Sequence, residues 1–339
     1  MANLSLIRAL PKSELHLHLE GTVEAETLVE LSRRHDAGPL TTQEALALYE
    51  YADFQGFLMA FKAVTQRLLT ADDFELATYR MMERLHEQRV LHAEVYISVG
   101  VVHWRQHDFE PVFEGIERGR ERGQRDFGVS VLWIFDAVRH FGVEAARRVF
   151  ELAVRYREHN VVGIGIGGDE RRGPAEAFKD LYRYAADHGL RRTAHAGETS
   201  GPESIWAALN IGAERLGHVL SAPHDGELME VLSQRQIPVE ICMSSNLRTG
   251  CISDLQQHPV RQLFNDGLLV TLNTDDPAMF HTSLNHEYEL AQDLFRFTDE
   301  HLRELARNSF EASFLPPEKK VEMLERFDHE VKAREAAAL

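Results

Sequence analysis

Several histidines and carboxylates lie next to apolar runs of the sequence, where they could bind a metal ion or a substrate. His16 and His18 are two positions apart in the segment ELHLHLE. Residues i and i+2 of a strand point to the same side, so both imidazoles could bind one ion. A His-x-His pair is also consistent with an amphipathic strand that carries two inward histidines.

Two further segments place a histidine beside a glycine. His195 and Glu198 belong to AHAGET, where Gly197 lets the backbone turn tightly after an apolar strand. His218 follows a glycine in RLGHVL. Near neutral pH an imidazole at this position could act as a general base. A buried histidine bonded to a backbone carbonyl is the structural alternative.

Two adjacent aspartates, Asp275 and Asp276, follow the apolar run LLVTLN. Adjacent aspartates repel each other and commonly mark an exposed turn or the N-terminus of a helix. Here they end a strand that we expect to be buried, and a cation partner explains the cost of burying them. Because successive residues point in different directions, one aspartate can bind metal while the other faces a substrate.

Together these residues predict a zinc site. Three histidines and one carboxylate suit Zn²⁺ with an open position for water. Bound zinc can lower the pKa of that water from about 15.7 to roughly 7. Glu198 and His218 then remain as acid and base, with Asp276 as a substrate acceptor. The segment VVGIGIGGDE contains no lysine that could be carboxylated to bridge two metals, which predicts one zinc ion per chain.

The elements that would position these residues alternate between strands and helices. Amphipathic stretches such as 73–88, 143–159 and 175–188 predict helices between the strands. A helical insertion at 22–69 and helices from residue 284 onward, with a break at Pro316-Pro317, are predicted in addition. Apolar or β-branched runs predict eight strands, at residues 14–20, 92–99, 129–138, 161–167, 192–197, 215–220, 237–243 and 268–273.

This pattern predicts an α/β fold, a (β/α)₈ TIM barrel of the metal-dependent hydrolase type, with extra helices after strand 1 and at the C-terminus. An open doubly wound sheet is the alternative. The polar residues favour the barrel, since they fall at or just beyond the C-terminal ends of the strands, where active sites of this fold lie. We interpret residues 1–339 as a single domain.

The composition and charge of the chain disfavour some classes of protein. The 339 residues carry a formal charge of −17, which disfavours binding to nucleic acid or to anionic lipid. No apolar run reaches the 18 or so residues that a membrane span needs. The N-terminal residues lack the apolar region of a signal peptide, which predicts a cytoplasmic protein with reduced thiols at Cys242 and Cys251. Oligomers are compatible with the sequence.

The chain resembles the adenosine deaminase family of the amidohydrolase superfamily over about residues 10–289. The segments PKSELHLHLEG, GGDE, AHAGE, RLGH, MSSN and NTDDP occur in the order and at the spacing of that family. The resemblance implies a (β/α)₈ barrel with one zinc ion and hydrolytic removal of the 6-amino group from a purine nucleoside or base.

The resemblance also implies a role for each matching residue. Glu198 matches the acid that protonates purine N1, and His218 matches the histidine that orients or deprotonates the zinc-bound water. Asp276 matches the aspartate that hydrogen-bonds N7, and Gly168 in GGDE matches the glycine whose N–H meets N3. Four residues match the zinc ligands: His16, His18, His195 and Asp275. Of these, His18 is also expected to contact the substrate.

Substrate choice is where the chain departs from adenosine deaminases. Glu20 stands where they carry an aspartate (HLDG) that contacts the 5′ end of the ribose. Members that act on adenine also read HLEG, but the adenine-specific branch typically has a serine–glutamate element where this chain has GGDE. Members of the futalosine route deaminate 6-amino-6-deoxyfutalosine, whose 5′ side bears an aryl ketone and a carboxylate. Arg248, or else Arg139, could pair with that carboxylate, and a structural salt bridge is the alternative for both.

The sequence therefore predicts zinc-dependent deamination of an adenine nucleoside, either adenosine or a 5′-modified analogue. The alternatives are 6-amino-6-deoxyfutalosine deamination in menaquinone biosynthesis and adenine deamination in purine salvage. Phe54, Phe57 and Phe61 could line an apolar lid or form the packed face of a helix.

Three other classes are disfavoured. Amide or lactone hydrolysis does not require an acid and an aspartate suited to purine N1 and N7. A non-catalytic zinc barrel would not need an intact set of Glu198, His218 and Asp276. A nucleic-acid deaminase would carry the H-x-E…P-C-x-x-C signature, which this sequence lacks.

Overall fold

Eight parallel strands form where the apolar runs predict them, and each pairs with the next strand in sequence order. The protein is described by a computed structural model that covers residues 2–338. The strands are β1 (Lys12–His18), β2 (Val90–Ile97), β3 (Ser130–Val138), β4 (Val161–Gly167), β5 (Arg191–Ala196), β6 (Arg215–His218), β7 (Val239–Ile241) and β8 (Val270–Leu272).

The ring of strands is closed by the residues that follow β8. Leu17 and Asp275 form a parallel bridge. The His18 N–H donates to the Asp275 carbonyl at 2.8 Å, and the Asp275 N–H donates to the His16 carbonyl at 2.9 Å. The predicted (β/α)₈ barrel is thus confirmed, and its seam between β1 and β8 is made by residues that the sequence singled out for metal binding.

Helices surround the barrel and cover its strands. Their bounds are α1 (Leu4–Ala9), α2 (Ala25–His35), α3 (Thr42–Leu48), α4 (Phe54–Thr65), α5 (Ala71–Glu87), α6 (Val99–Trp104), α7 (Phe109–Phe127), α8 (Val143–Tyr156), α9 (Lys179–Asp187), α10 (Pro202–Ile211), α11 (Gly226–Gln234), α12 (Met243–Arg248), α13 (Val260–Asn265), α14 (Pro277–Phe280), α15 (Leu284–Phe295), α16 (Asp299–Glu311) and α17 (Pro317–Ala338). The insertion after β1 comprises α2, α3 and α4, and α15 to α17 form the predicted C-terminal helices. The described residues contain no helix that is both long and apolar enough to cross a bilayer.

Local sequence explains how these helices begin and pack. Thr41 and Thr70 form capping boxes at the starts of α3 and α5, which satisfy backbone N–H groups that would otherwise lack partners. Gly115 on α7 faces the backbone of Ala71 so closely that a Cβ would overlap its carbonyl. The missing side chain lets α5 and α7 pack against each other at short range.

Several strands end earlier than the sequence predicts. β6 stops at His218, because His218 and Val219 have φ values of +69° and +46° and left-handed backbone cannot continue a strand. The predicted strand at 237–243 ends at Ile241, and Met243 begins α12. In both places the chain turns as soon as it reaches the carboxyl end of the barrel, which directs polar side chains across that end.

Candidate active site

Four side chains from three parts of the barrel point to one position. His16 and His18 lie on β1, His195 lies on β5 and Asp275 follows β8, and their ligand atoms all lie within 4.8 Å of one another. His18 Nε2 is 3.4 Å from His195 Nε2 and 3.3 Å from Asp275 Oδ1. All four residues are buried. The structure therefore brings together the four residues proposed as zinc ligands.

The donor set fits a bound cation. His16 Nε2 is buried and has no hydrogen-bond partner among residues 2–338. A buried polar atom without a partner is costly and requires an explanation. A metal ion in front of this nitrogen would supply one, and three imidazoles with a carboxylate are a set that zinc accepts.

Neighbouring groups fix the other polar atom of three of these side chains. His16 Nδ1 lies 2.7 Å from Glu240 Oε2, and His195 Nδ1 lies 3.1 Å from the Ile166 carbonyl. Ser245 Oγ donates to Asp275 Oδ2 at 2.6 Å. With Nδ1 donating in each histidine, Nε2 is free to bind metal, which is how outer groups commonly orient metal ligands.

Sequence reasoning missed Glu240, although a signal was present. It is a carboxylate inside the apolar run IPVEICM, and such a residue must be paired once it is buried. Glu240 forms an ion pair with Arg215, and Arg215 also pairs with Glu94 at 2.5 Å. All three side chains are fully buried. The barrel interior thus holds a charged network that ends at His16.

The three residues proposed for catalysis border the same space. Glu198, His218 and Asp276 line one cavity with His18, His195 and Asp275. Glu198 Oε1 is 3.8 Å from His218 Nε2. Burial raises the pKa of the Glu198 carboxyl above its usual range, which favours the protonated form that a general acid needs.

Asp276 approaches the chain segment HLEG so closely that only glycine fits there. A Cβ on Gly21 would overlap the Asp276 carboxylate. Asp276 Oδ1 is buried and makes no hydrogen bond within the described part of the chain. Burial, followed by the neighbouring Asp275, raises the pKa of Asp276. This oxygen can therefore serve a ligand in the cavity.

Glu170, in the segment GGDE, holds the turn that carries Glu198. Its carboxylate accepts hydrogen bonds from the N–H groups of Gly197, Glu198 and Thr199 at 2.8, 2.9 and 2.7 Å. Gly168, in the same segment, lines the cavity with φ +90°, where a Cβ would lie 2.9 Å from His140 Nδ1. GGDE thus contributes both a cavity wall and a support.

The cavity has a volume of about 470 Å³ and a largely aromatic outer wall. Phe57 of α4 packs against Phe280 with ring centroids 5.0 Å apart. The three phenylalanines of α4 form a helix face, as one interpretation predicts, and this face also lines the cavity, as the other predicts. The outer wall comprises Phe54, Phe57, Leu58, Phe61, Val101, Val138, His140, Phe141, Arg171 and Phe280.

Three residues considered for substrate binding do not line this cavity. Glu20 accepts hydrogen bonds from the Ser98 N–H and Oγ at 3.1 and 3.2 Å, and it borders a smaller neighbouring cavity instead. Arg248, at the end of α12, donates to the Tyr49 carbonyl at 2.7 Å. Arg139 is buried beside Glu170. The cationic residue on the cavity wall is Arg171, in the loop after β4, which sequence reasoning did not consider.

Asp136 is a second cavity residue that the sequence analysis missed. It lies in β3, is buried, and its Oδ1 has no hydrogen-bond partner in the region from residue 2 to residue 338. Burial raises the pKa of its carboxyl to about 8. A carboxylate within the apolar run VLWIFDAV was the available signal, of the same kind as Asp275 and Asp276.

Comparison with known proteins gives a consistent family. The model of the adenosine deaminase family matches residues 11–330. An aminodeoxyfutalosine deaminase from Streptomyces avermitilis is 39% identical over 316 residues, which cover 92% of this chain and 88% of the relative. An adenine deaminase from Hahella chejuensis is 36% identical and covers 95% of this chain and 97% of the relative.

A solved structure agrees with the fold. The crystal structure of an amidohydrolase from Burkholderia ambifaria, with bound zinc, superimposes with a TM-score of 0.90 at 27% identity. The alignment covers 99% of this chain and 96% of that chain. The family match, the deaminase relatives and the shared barrel agree, and the chain belongs to the adenosine deaminase family of the amidohydrolase superfamily, as a hydrolytic deaminase of adenine-type substrates.

Proposed function

We propose that the substrate is a 6-aminopurine nucleoside whose 5′ side carries an aryl group and a carboxylate, the composition of 6-amino-6-deoxyfutalosine. The observation that carries this proposal is the outer wall of the cavity, which combines phenylalanines with Arg171. The 39% identical relative from Streptomyces avermitilis bears the name of this activity. The reaction would convert the 6-amino purine to its 6-oxo form and release ammonia.

The size of the cavity supports a substrate larger than a base. Its volume of about 470 Å³ falls in the range of roughly 300–1,000 Å³ that holds drug-sized ligands. Phe57, Phe141 and Phe280 offer apolar surface to an aryl ring. The Arg171 guanidinium donates to the Thr199 carbonyl at 3.3 Å and pairs with no carboxylate among residues 2–338, so it can pair with one on the substrate.

We propose one zinc ion per chain, held by His16, His18, His195 and Asp275. Bound zinc would supply a water whose pKa is lowered to about 7, so that hydroxide is available near neutral pH. His16 fits this role because its Nε2 has no hydrogen-bond partner in the described chain and Glu240 orients its ring.

The remaining polar groups would act on the purine ring. Glu198, whose pKa is raised by burial, would give its proton to N1 while hydroxide adds to C6. The ring accepts the electron pair, the proton of the added hydroxyl group would pass to the amino nitrogen, and the C6–N bond would break as ammonia leaves the 6-oxo purine. Asp276 would bind N7 and the Gly168 N–H would bind N3, which fixes the purine in the plane that the reaction requires. His18, which lines the cavity, would also contact the substrate.

Adenine is the second candidate substrate. The Hahella chejuensis relative bears the name adenine deaminase, and Glu20 lies behind Ser98, away from the cavity where a ribose would bind. An adenine-specific enzyme would leave the phenylalanine wall without a partner.

A rate comparison on the zinc-loaded protein tests the proposal. Adenosine, 2′-deoxyadenosine, adenine, 5′-methylthioadenosine and 6-amino-6-deoxyfutalosine are followed by loss of adenine absorbance and by ammonia release. We expect the futalosine compound to have the highest kcat/KM, by about 10- to 100-fold, because a charge-assisted bond contributes about 1.5–3 kcal/mol. A highest kcat/KM for adenine would instead assign purine-base salvage, and absence of turnover on all five compounds would contradict the proposal.

A further inference from the structure

A chain of hydrogen bonds leads from the start of α13 to His218. The Val260 N–H donates to His258 Nδ1 at 3.1 Å. A backbone N–H can only donate, so Nδ1 of His258 must be the acceptor. His258 is buried, and this burial lowers its pKa to about 3. The ring is therefore neutral, and its single proton lies on Nε2.

Asn246 links His258 to His218, and the proton position on His258 determines which atom of the Asn246 amide donates to His218. His258 Nε2 lies 3.1 Å from Asn246 Oδ1, and Asn246 Nδ2 lies 3.0 Å from His218 Nδ1. The opposite orientation of the amide would place its NH₂ group against the His258 N–H, which pairs two donors. The amide must therefore donate to His218 Nδ1, which leaves that nitrogen without a proton.

The other ring nitrogen of His218 faces the active site. His218 Nε2 is buried, has no hydrogen-bond partner in the described chain, and lies 3.8 Å from Glu198 Oε1. The positive φ of +69° at His218 shows that the backbone is held in an uncommon conformation to aim the ring there. Since Nδ1 is an acceptor, the proton of a neutral His218 must lie on Nε2.

We infer that His258 and Asn246 are positioning residues that hold His218 in its Nε2–H form, so that His218 donates a hydrogen bond into the active site. An Nε2 that already carries a proton does not remove one from water. His218 thus orients the attacking oxygen, and a metal-bound water, with its lowered pKa, would release its proton to solvent. The catalytic part of this inference rests on the proposed function, whereas the position of the proton does not.

Nitrogen NMR of the zinc-loaded protein tests the position of the proton directly. Histidine labelled with ¹⁵N in the ring distinguishes the two neutral forms from the doubly protonated form, and the His218 signal is assigned by its absence in His218→Asn. We expect a protonated Nε2 and an unprotonated Nδ1. A proton on Nδ1, or on both nitrogens, would overturn the inference whatever the substrate proves to be.

Variants of His258 test its effect on turnover. His258→Phe removes the donor to Asn246, and we expect kcat to fall by about 10- to 100-fold, as for other groups that orient active-site residues, with unchanged KM and zinc content. The ¹⁵N signals of His218 should no longer show a single form protonated on Nε2. His258→Gln keeps a donor and an acceptor and should restore both readouts toward the native values.

His301→Phe is the matched control. His301 packs against Phe264 of α13 with ring centroids 5.2 Å apart, outside the hydrogen-bond chain. The His301→Phe variant should keep the native kcat and the native ¹⁵N signal of His218. If His258→Phe also kept both, the inference would be wrong. If neither His258 variant folded, the spectrum of the native protein would still decide the question.

Discussion

At the inner end of the cavity, hydrogen bonds from neighbouring residues hold His16 and the turn of Glu198, whereas the mouth is built mainly from phenylalanines and other apolar side chains. Glu240 orients His16, and Glu170 supports the turn that carries Glu198. At the mouth, Leu58 of α4 and Phe141 in the loop after β3 are 44% and 37% exposed. We therefore expect the inner end to determine the reaction and the mouth to determine which substrate fits.

The different origins of the two regions explain this contrast. The inner end comes from strand ends, which the barrel holds in place on all sides. The mouth comes from α4 and the loops after β3 and β4, which have solvent on one side. Substitutions at the inner end should therefore change turnover or metal binding, and substitutions at the mouth should change substrate affinity.

The largest effect is expected from Glu198→Gln. The amide cannot protonate N1, and general acids contribute about 10²- to 10⁴-fold to rate, so kcat should fall by that factor while zinc stays bound. The measurement is single-substrate kinetics together with metal analysis. Glu203→Gln is the control, because the Glu203 carboxylate accepts from the Gly201 N–H and the glutamine oxygen can still do so. A Glu198→Gln variant with near-native kcat would exclude the assigned role.

A smaller effect, on zinc affinity, is expected from Glu240→Gln. Loss of the carboxylate that orients His16 should weaken zinc binding by about 10- to 100-fold, which competition with a chelator measures. Glu94→Gln is the matched control, because Glu94 pairs with the same Arg215 but does not contact His16. Both variants leave Arg215 poorly compensated and should lower stability, by up to about 3–5 kcal/mol. If zinc affinity fell equally in both, Glu240 would have no special role toward the metal.

The smallest effect is expected from Arg171→Ala at the mouth. KM for 6-amino-6-deoxyfutalosine should rise about tenfold, equivalent to about 1.4 kcal/mol, while KM for 5′-methylthioadenosine should not change. Arg172→Ala is the control, since Arg172 is an exposed neighbour that does not line the cavity. An equal rise in KM for both substrates would show that Arg171 does not bind the substrate carboxylate.

The sequence predicted the inner end better than the mouth. His16 and His18 share a strand, and Asp275 follows an apolar run, so their local patterns indicated both strand ends and metal binding. Arg248 was chosen because it follows MSSN. However, β7 is only three residues long and α12 begins at once, and the helix carries Arg248 toward Tyr49 and away from the cavity.

The residues that hold the site were harder to predict than the residues that form it. Asn246 and His258 are 12 positions apart, with a 3₁₀ turn between them, and their contact depends on how α12 and α13 lie against each other. No local pattern encodes such a contact. Glu240 and Asp136 could have been noticed as carboxylates in apolar runs, but the partners of Glu240, His16 and Arg215, lie on other strands.

A cation bound by the proposed ligand set would have a mechanical role at the seam of the barrel as well as a chemical one. His18 and Asp275 share a backbone hydrogen bond across this seam and point their side chains at one position. Part of the free energy of metal binding would therefore hold β1 against the residues that follow β8, because metal binding is coupled to folding wherever the ligands come from separate segments. Removal of the ion would therefore destabilise the wall of the barrel in addition to removing the ion from the active site.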